Sequence, residues 1–243
     1  MVNSPREEKS AVPARDVETG QAPCSSSIVV VDACPYGRLG LQRVLMQPAL
    51  TPHPMMVETF GCVSPALSPE RRAGGSPGKG DAARCLVVRL SPAPALAVMQ
   101  LLQLAGASLT LAGFQRLVIL SPFVVNNAVR QILVCCAVRV PIRIVNARCP
   151  AMLLRHAVLS QGALLQGALL HAGRDEELPQ IPAMTLSARE REVLLTTLQE
   201  ISIHQQARRQ NRNHKTLYAQ RKNALKKMRV AGVVQLLRRF MSM

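Results

Sequence analysis

The segment NHKTLYAQRKNALKKM, residues 213–228, carries six basic side chains and one tyrosine but no acid. At 3.6 residues per turn, Lys215, Tyr218, Lys222 and Lys226 fall about one turn apart along a single stripe. Arg221 and Lys227 widen that positive surface. Leu217, Ala224, Leu225 and Met228, at spacings of 7, 8 and 11, share a different face, which a core can take. Such a helix has the chemistry to meet a polyanion. Its cations neutralise phosphates, and shorter side chains reach base edges in a major groove.

The charge of the whole chain agrees. Its 243 residues hold a net charge of +16 and a pI of about 10.8. Residues 185–243 contribute thirteen Lys or Arg against three Glu, so most of the excess sits in the last quarter. A balance this basic points to nucleic acid or an anionic membrane surface.

Other chemistries find little support. The seven cysteines, Cys24, Cys34, Cys62, Cys85, Cys135, Cys136 and Cys149, form no C-x-x-C pair and show no zinc-ligand spacing. They are expected to be buried thiols in a reducing cytosol. His53, His156, His171, His204 and His214 have no nucleophile or metal partner in the pattern, and no Gly-rich phosphate loop occurs. No enzyme activity, metal or cofactor is therefore expected. Residues 94–113 are long enough to span a bilayer, but Gln100, Gln103 and Ser108 interrupt them, so they read as buried helix.

The elements that must position the basic helix follow from periodicity. Residues 1–26 read as a disordered arm without a secretory h-region. Strands are expected at SSIVVVDA, 55–60, 85–90, RLVILS and VPIRIVN. Helices are expected after the first strand, over about 93–106 and 123–136, and from Pro150 to His171. Residues 63–82, rich in Pro, Gly and Ser, read as a flexible loop. Strands alternating with helices over 27–172 imply a flavodoxin-like, doubly wound parallel five-stranded sheet covered on both faces. The acidic, Pro-containing stretch 173–184 reads as a linker.

Beyond the linker, 185–243 read as a small all-α domain of four helices. Ser187 and Glu190 form a capping-box signature, and Leu186, Val193, Leu194 and Leu198 give an apolar stripe. Further helices are expected over about 202–209, 213–228 and 230–239. Short helices joined by tight turns, the third of them basic, make a helix-turn-helix pattern.

LSAREREVL, HQQARR and HKTLYAQRKNALKKMRV together resemble the C-terminal DNA-binding domain of LuxR/NarL/FixJ transcription regulators over about residues 185–237. The resemblance implies that 214–228 is the recognition helix, with Tyr218, Ala219 and Lys222 at base-contacting positions. Lys215, Thr216, Gln220 and Arg221 then stand at or near backbone-contacting ones. It also implies a role for Glu190 in holding the helices together. Gln206, Gln210 and Arg212 occupy positions that are usually apolar in that family, and Asn211 stands where Gly is common.

The N-terminal part is similar to a response-regulator receiver whose acidic pocket is degenerate. VVVDACPYGRLGL aligns with the receiver opening, so Asp32 remains while Ala33 replaces a second acid. Arg89 stands at or next to the phosphoacceptor position, Ser121 fits the switch hydroxyl, and Asn146 or Ala147 replaces the Lys. One carboxylate beside an arginine cannot hold magnesium and accept phosphate; either Arg89 pairs with Asp32 and fills the site, or both residues sit on the surface.

The resemblance implies a bacterial, cytoplasmic, nucleoid-associated regulator that binds double-stranded DNA as a homodimer, or as a heterodimer with another regulator, independently of phosphorylation. The competing expectation is an adaptor that heterodimerises with another response regulator, or binds an anionic membrane surface through VVQLLRRFMSM.

Overall fold

The structure is a computed structural model, and it describes residues 27–47, 55–68, 84–123, 127–159 and 176–241. Five strands form one sheet: β1 (Ser27–Val31), β2 (Met56–Phe60), β3 (Arg84–Arg89), β4 (Arg116–Ser121) and β5 (Ile142–Asn146). All pairings are parallel and the order is β2-β1-β3-β4-β5, the flavodoxin-like doubly wound arrangement.

The β-branched runs alternate their side chains between two cores, as the pleat requires. Val29, Val31, Leu86, Val88, Leu117 and Ile119 face one core. It is covered by α2 (Val63–Ala66), α3 (Pro94–Gln103), α4 (Gly106–Leu111) and α5 (Asn127–Cys135). Ile28, Val30, Val87, Val118 and Val145 face the other, under α1 (Pro35–Leu45) and α6 (Ala151–Leu159).

Several expectations need correction. The loop expected at 63–82 begins with α2; residues 69–83 lie outside the described residues. The helix expected over about 93–106 is α3, which ends at Gln103, and Gly106 opens a separate short helix, α4, instead of closing α3. Its amide donates to the Cys136 carbonyl at 2.9 Å, and a Cβ there would collide with the Ala137 carbonyl. Only glycine allows that approach. The helix expected from Pro150 to His171 is described only as α6; the rest lies outside the described residues, as does the arm 1–26. The thiols are not uniformly buried: Cys85, Cys135 and Cys136 are, whereas Cys34 and Cys62 are exposed in the loops that follow β1 and β2. Among the described residues no helix is long and apolar enough to cross a membrane.

The stretch read as a linker is partly stitched to the sheet. Glu176 exchanges backbone hydrogen bonds with Ile142 at 2.7 and 2.9 Å, and its carboxylate takes two 2.7 Å bonds from Arg130. Leu178 is buried. After a single 3-10 turn at Pro182–Met184 come α7 (Ala188–Leu198), α8 (Ile203–Gln210), α9 (His214–Lys227) and α10 (Val233–Arg238).

Candidate nucleic-acid interface

Side-chain caps set the start of α7, α8 and α9 in the C-terminal unit. Ser187 and Glu190 form a reciprocal capping box on α7, and Ser202 with Gln205 forms a second on α8. The side chain of Asn213 accepts from the Lys215 amide at 2.8 Å and starts α9. Between α8 and α9 the chain reverses through Asn211 at φ 48°. Asparagine tolerates this left-handed conformation better than any residue but glycine, which accounts for its standing in for Gly.

α9 has 14 residues and is thus about 21 Å long. Leu217, Ala224, Leu225 and Met228 are buried, so the apolar face is fixed against α7, α8 and the α/β unit. Lys215, Thr216, Tyr218, Ala219, Lys222 and Lys226 lie exposed on the opposite side. Tyr218 keeps 56% of its surface in solvent, a large fraction for an aromatic ring in a chain with six aromatics.

The other three proposed contacts behave differently. Lys227 turns inward. Its Nζ donates to Glu190 Oε2 at 2.7 Å and to the Thr185 carbonyl at 2.9 Å, so it ties α9 to α7 and does not widen the cationic face. Gln220 is half-buried, and its Oε1 has no partner among the described residues. Arg221 is half-buried with its guanidinium carbon 4.6 Å from the Tyr218 ring centroid.

Glu190 is the pivot of the helical unit. Burial alone would raise its pKa, but hydrogen bonds from Lys227 and from Ser187 outweigh it and hold the carboxyl below its ordinary value. Gln206, at a position usually apolar in the resembling family, is buried. Its amide nitrogen donates to the Ile201 carbonyl at 2.8 Å and reaches Thr197 Oγ1 at 3.3 Å, while its Oε1 is unpartnered among the described residues. Gln210 donates to Glu192 at 3.2 Å.

The C-terminal cap of α9 and the last helix are docked on the α/β unit. Gln131 of α5 donates to the Met228 carbonyl at 2.6 Å, the Leu186 amide donates to the Cys135 carbonyl at 2.7 Å, and Arg239 reaches both Gln131 and the Met228 carbonyl. Phe240 packs edge-on against Phe123, ring centroids 5.1 Å apart. Leu194, Leu198, Met228, Leu236 and Phe240 continue the hydrophobic core that lies under α3 and α5. Burial raises the Cys135 thiol at this junction to about 11. Nothing in the sequence pattern pointed to Gln131 or Phe123. Phe240 lies in VVQLLRRFMSM, whose apolar residues suit the packing of a fourth helix as well as a membrane surface.

The receiver-like pocket lies at the C-terminal edge of the sheet, where open α/β sheets place their ligands. Asp32 is buried; its Oδ1 accepts from the Cys34 amide at 2.9 Å, and its Oδ2 lies 3.2 Å from Arg89 Nη1. Gly37 makes room for this pair: a Cβ there would collide with Asp32 Oδ2 and stand 2.9 Å from Arg89 Nη1. Ser121 and Asn146 end adjacent strands as register partners, but each turns to its own loop. The Ser121 hydroxyl accepts from the Phe123 amide at 3.2 Å, and Asn146 Oδ1 accepts from the Arg148 amide at 2.8 Å. Among the described residues no three His, Cys, Asp or Glu side chains cluster as metal ligands.

No family model matches this chain, and no curated protein matches it. Among solved structures it is similar to RcsB from Salmonella enterica serovar Typhimurium bound to the rprA promoter. The identity is 16% and the TM-score 0.47, covering 90% of this chain and 100% of that one. It is similar to RcsB in a structure of two RcsB dimers on two parallel DNAs, at 18% identity and TM-score 0.46, with the same coverage. A third is the response regulator ChrA of a heme-sensing two-component system, at 18% identity and TM-score 0.32, covering 88% of this chain and 96% of that one.

Proposed function

We propose that this chain is a sequence-specific, DNA-binding transcription regulator that reads duplex DNA through α9. The observation that carries the reading is the division of α9 into a buried apolar face and an exposed face bearing Lys215, Thr216, Tyr218, Ala219, Lys222 and Lys226. The cations displace counterions and hold register on the phosphates; Tyr218, Ala219 and Lys222 stand where bases are read. A 14-residue helix fits a major groove about 12 Å wide.

The receiver-like pocket supports a protein that works without phosphorylation. Its buried carboxylate faces a guanidinium, and the neighbouring position is Ala33. Activity is then set by abundance or by a partner, either a second copy or another regulator. The membrane-surface alternative finds less support. Of the apolar residues around α10, Leu236 and Phe240 are buried against the rest of the chain, which leaves Val234 and Met241 as the exposed ones.

The test is fluorescence anisotropy of the full chain on duplexes selected from a random pool, across salt. Affinity should fall steeply as salt rises. Lys222→Ala should relax discrimination at one base pair by about 1–3 kcal/mol. Equal weakening on every sequence would make Lys222 a phosphate contact and remove it from base readout.

A further inference from the structure

Tyr218 and Arg221 sit one turn apart on α9, so their side chains meet. The guanidinium carbon of Arg221 lies 4.6 Å from the centre of the tyrosine ring, within reach of a cation–π contact. Among the described residues no carboxylate pairs with Arg221, whereas Lys227, also on α9, is drawn to Glu190. The arginine is half-buried and the ring is mostly exposed. One flank of the ring is thus covered by a planar cation, while Lys215 and Lys222 lie about a turn away on either side along the same exposed stripe.

From this geometry we infer that Arg221 is a positioning residue for Tyr218, and that the two act as one recognition element. This rests on the reading of α9 as the DNA-facing helix, and it changes the backbone-contacting role that the family resemblance implies for Arg221. An arginine that only met a phosphate would be replaceable by any cation. An arginine that stacks on a ring is not, because lysine carries a compact point charge in place of a planar fork. An exposed tyrosine ring samples several orientations, and ordering it on binding costs conformational entropy. Stacked by Arg221, the ring is ordered before the groove arrives. It then presents its hydroxyl and free edge to a base in one pose, and the guanidinium keeps its charge beside the sugar–phosphate wall.

The experiment measures binding of the full chain to its pool-selected duplex and to single-base variants of it, for wild type, Arg221→Lys, Arg221→Ala, Tyr218→Ala and the Arg221→Lys/Tyr218→Ala pair. Arg221→Lys should lose about two- to fivefold of the discrimination at the base pair that Tyr218→Ala identifies. That loss should exceed the change in its affinity for an unrelated duplex. In the Tyr218→Ala background the lysine should cause no further loss, because the ring it would misplace is gone. Arg221→Lys matching wild type at every base pair, with only Arg221→Ala weakening all duplexes alike, overturns the positioning role and leaves a phosphate contact. Additive losses in the double variant overturn it as well. If wild type selects no duplex from the pool, the DNA-binding reading falls, and the inference falls with it. Circular dichroism of each variant separates these outcomes from loss of the helix.

Discussion

The amide nitrogen of Gln131 donates to the carbonyl of Met228 across 2.6 Å, joining α5, which packs on the sheet, to the C-terminal cap of α9. The two residues are 97 positions apart in sequence. With Phe240 set edge-on against Phe123, this bond anchors α9 at its far end and leaves the exposed stripe uncovered.

Truncating the aromatic half of that junction should loosen the helical unit before the sheet. Phe240→Ala is expected to cost about 3–5 kcal/mol, the usual range for a buried phenylalanine. In hydrogen exchange the amides of α10 should lose protection while those of β3 and β4 keep theirs. Equal loss in both places would mean that the two units unfold as one.

The Glu190–Lys227 pair should make stability depend on acid. Its folded-state carboxyl is held below its ordinary value, so the unfolded chain binds the proton more readily. The stabilisation is complete above the ordinary carboxylate range and is lost as pH falls through the lower folded value. Glu190→Gln keeps a capping acceptor but removes the charge. It should cost about 1–3 kcal/mol at pH 7, with the gap to wild type closing at acid pH. Parallel denaturation curves from pH 7 down to acid, with a constant offset, would refute the charge effect.

Gly37→Ala tests the packed Asp32–Arg89 ion pair at the C-terminal edge of the sheet. A methyl group there meets Asp32 Oδ2 and Arg89 Nη1, so the variant should lose about 1–3 kcal/mol to overpacking, read as a fall in urea midpoint with unchanged slope. Wild type should show no structural response to beryllofluoride by amide NMR. A specific set of shifts around Asp32 on its addition would show that the pocket still accepts a phosphoryl mimic.

Gln206→Leu addresses the polar substitution in the helical core. The buried Oε1 lacks a partner among the described residues while the amide nitrogen serves Ile201 and Thr197. Replacing the amide by an apolar group of similar size should leave stability within about 1 kcal/mol of wild type, since a lost hydrogen bond is set against a relieved orphan acceptor. A larger loss would show that the Ile201 carbonyl depends on this amide.

What the chain determined by itself is what lies within one or two turns of the backbone. The capping box at Ser187 and the apolar spacing that buries Leu217, Ala224, Leu225 and Met228 are short-range patterns. The β-branched runs that become strands feeding two cores belong with them. They were legible because propensity and periodicity are written in adjacent residues. Elements made of short or interrupted runs were not: α2 sits inside a Pro- and Ser-rich stretch, and Gly106 is indistinguishable from a helix terminator until Ala137 is packed against it.

The fate of individual charges was decided only by tertiary structure. Lys222 and Lys227 are equivalent letters in one basic run, yet one faces solvent and the other is drawn to Glu190, 37 residues earlier. Arg89 meets Asp32 across 57 residues because the sheet order sets β3 beside β1. A cation's partner depends on which distant segment the packing brings within a few ångströms, and no local period carries that information.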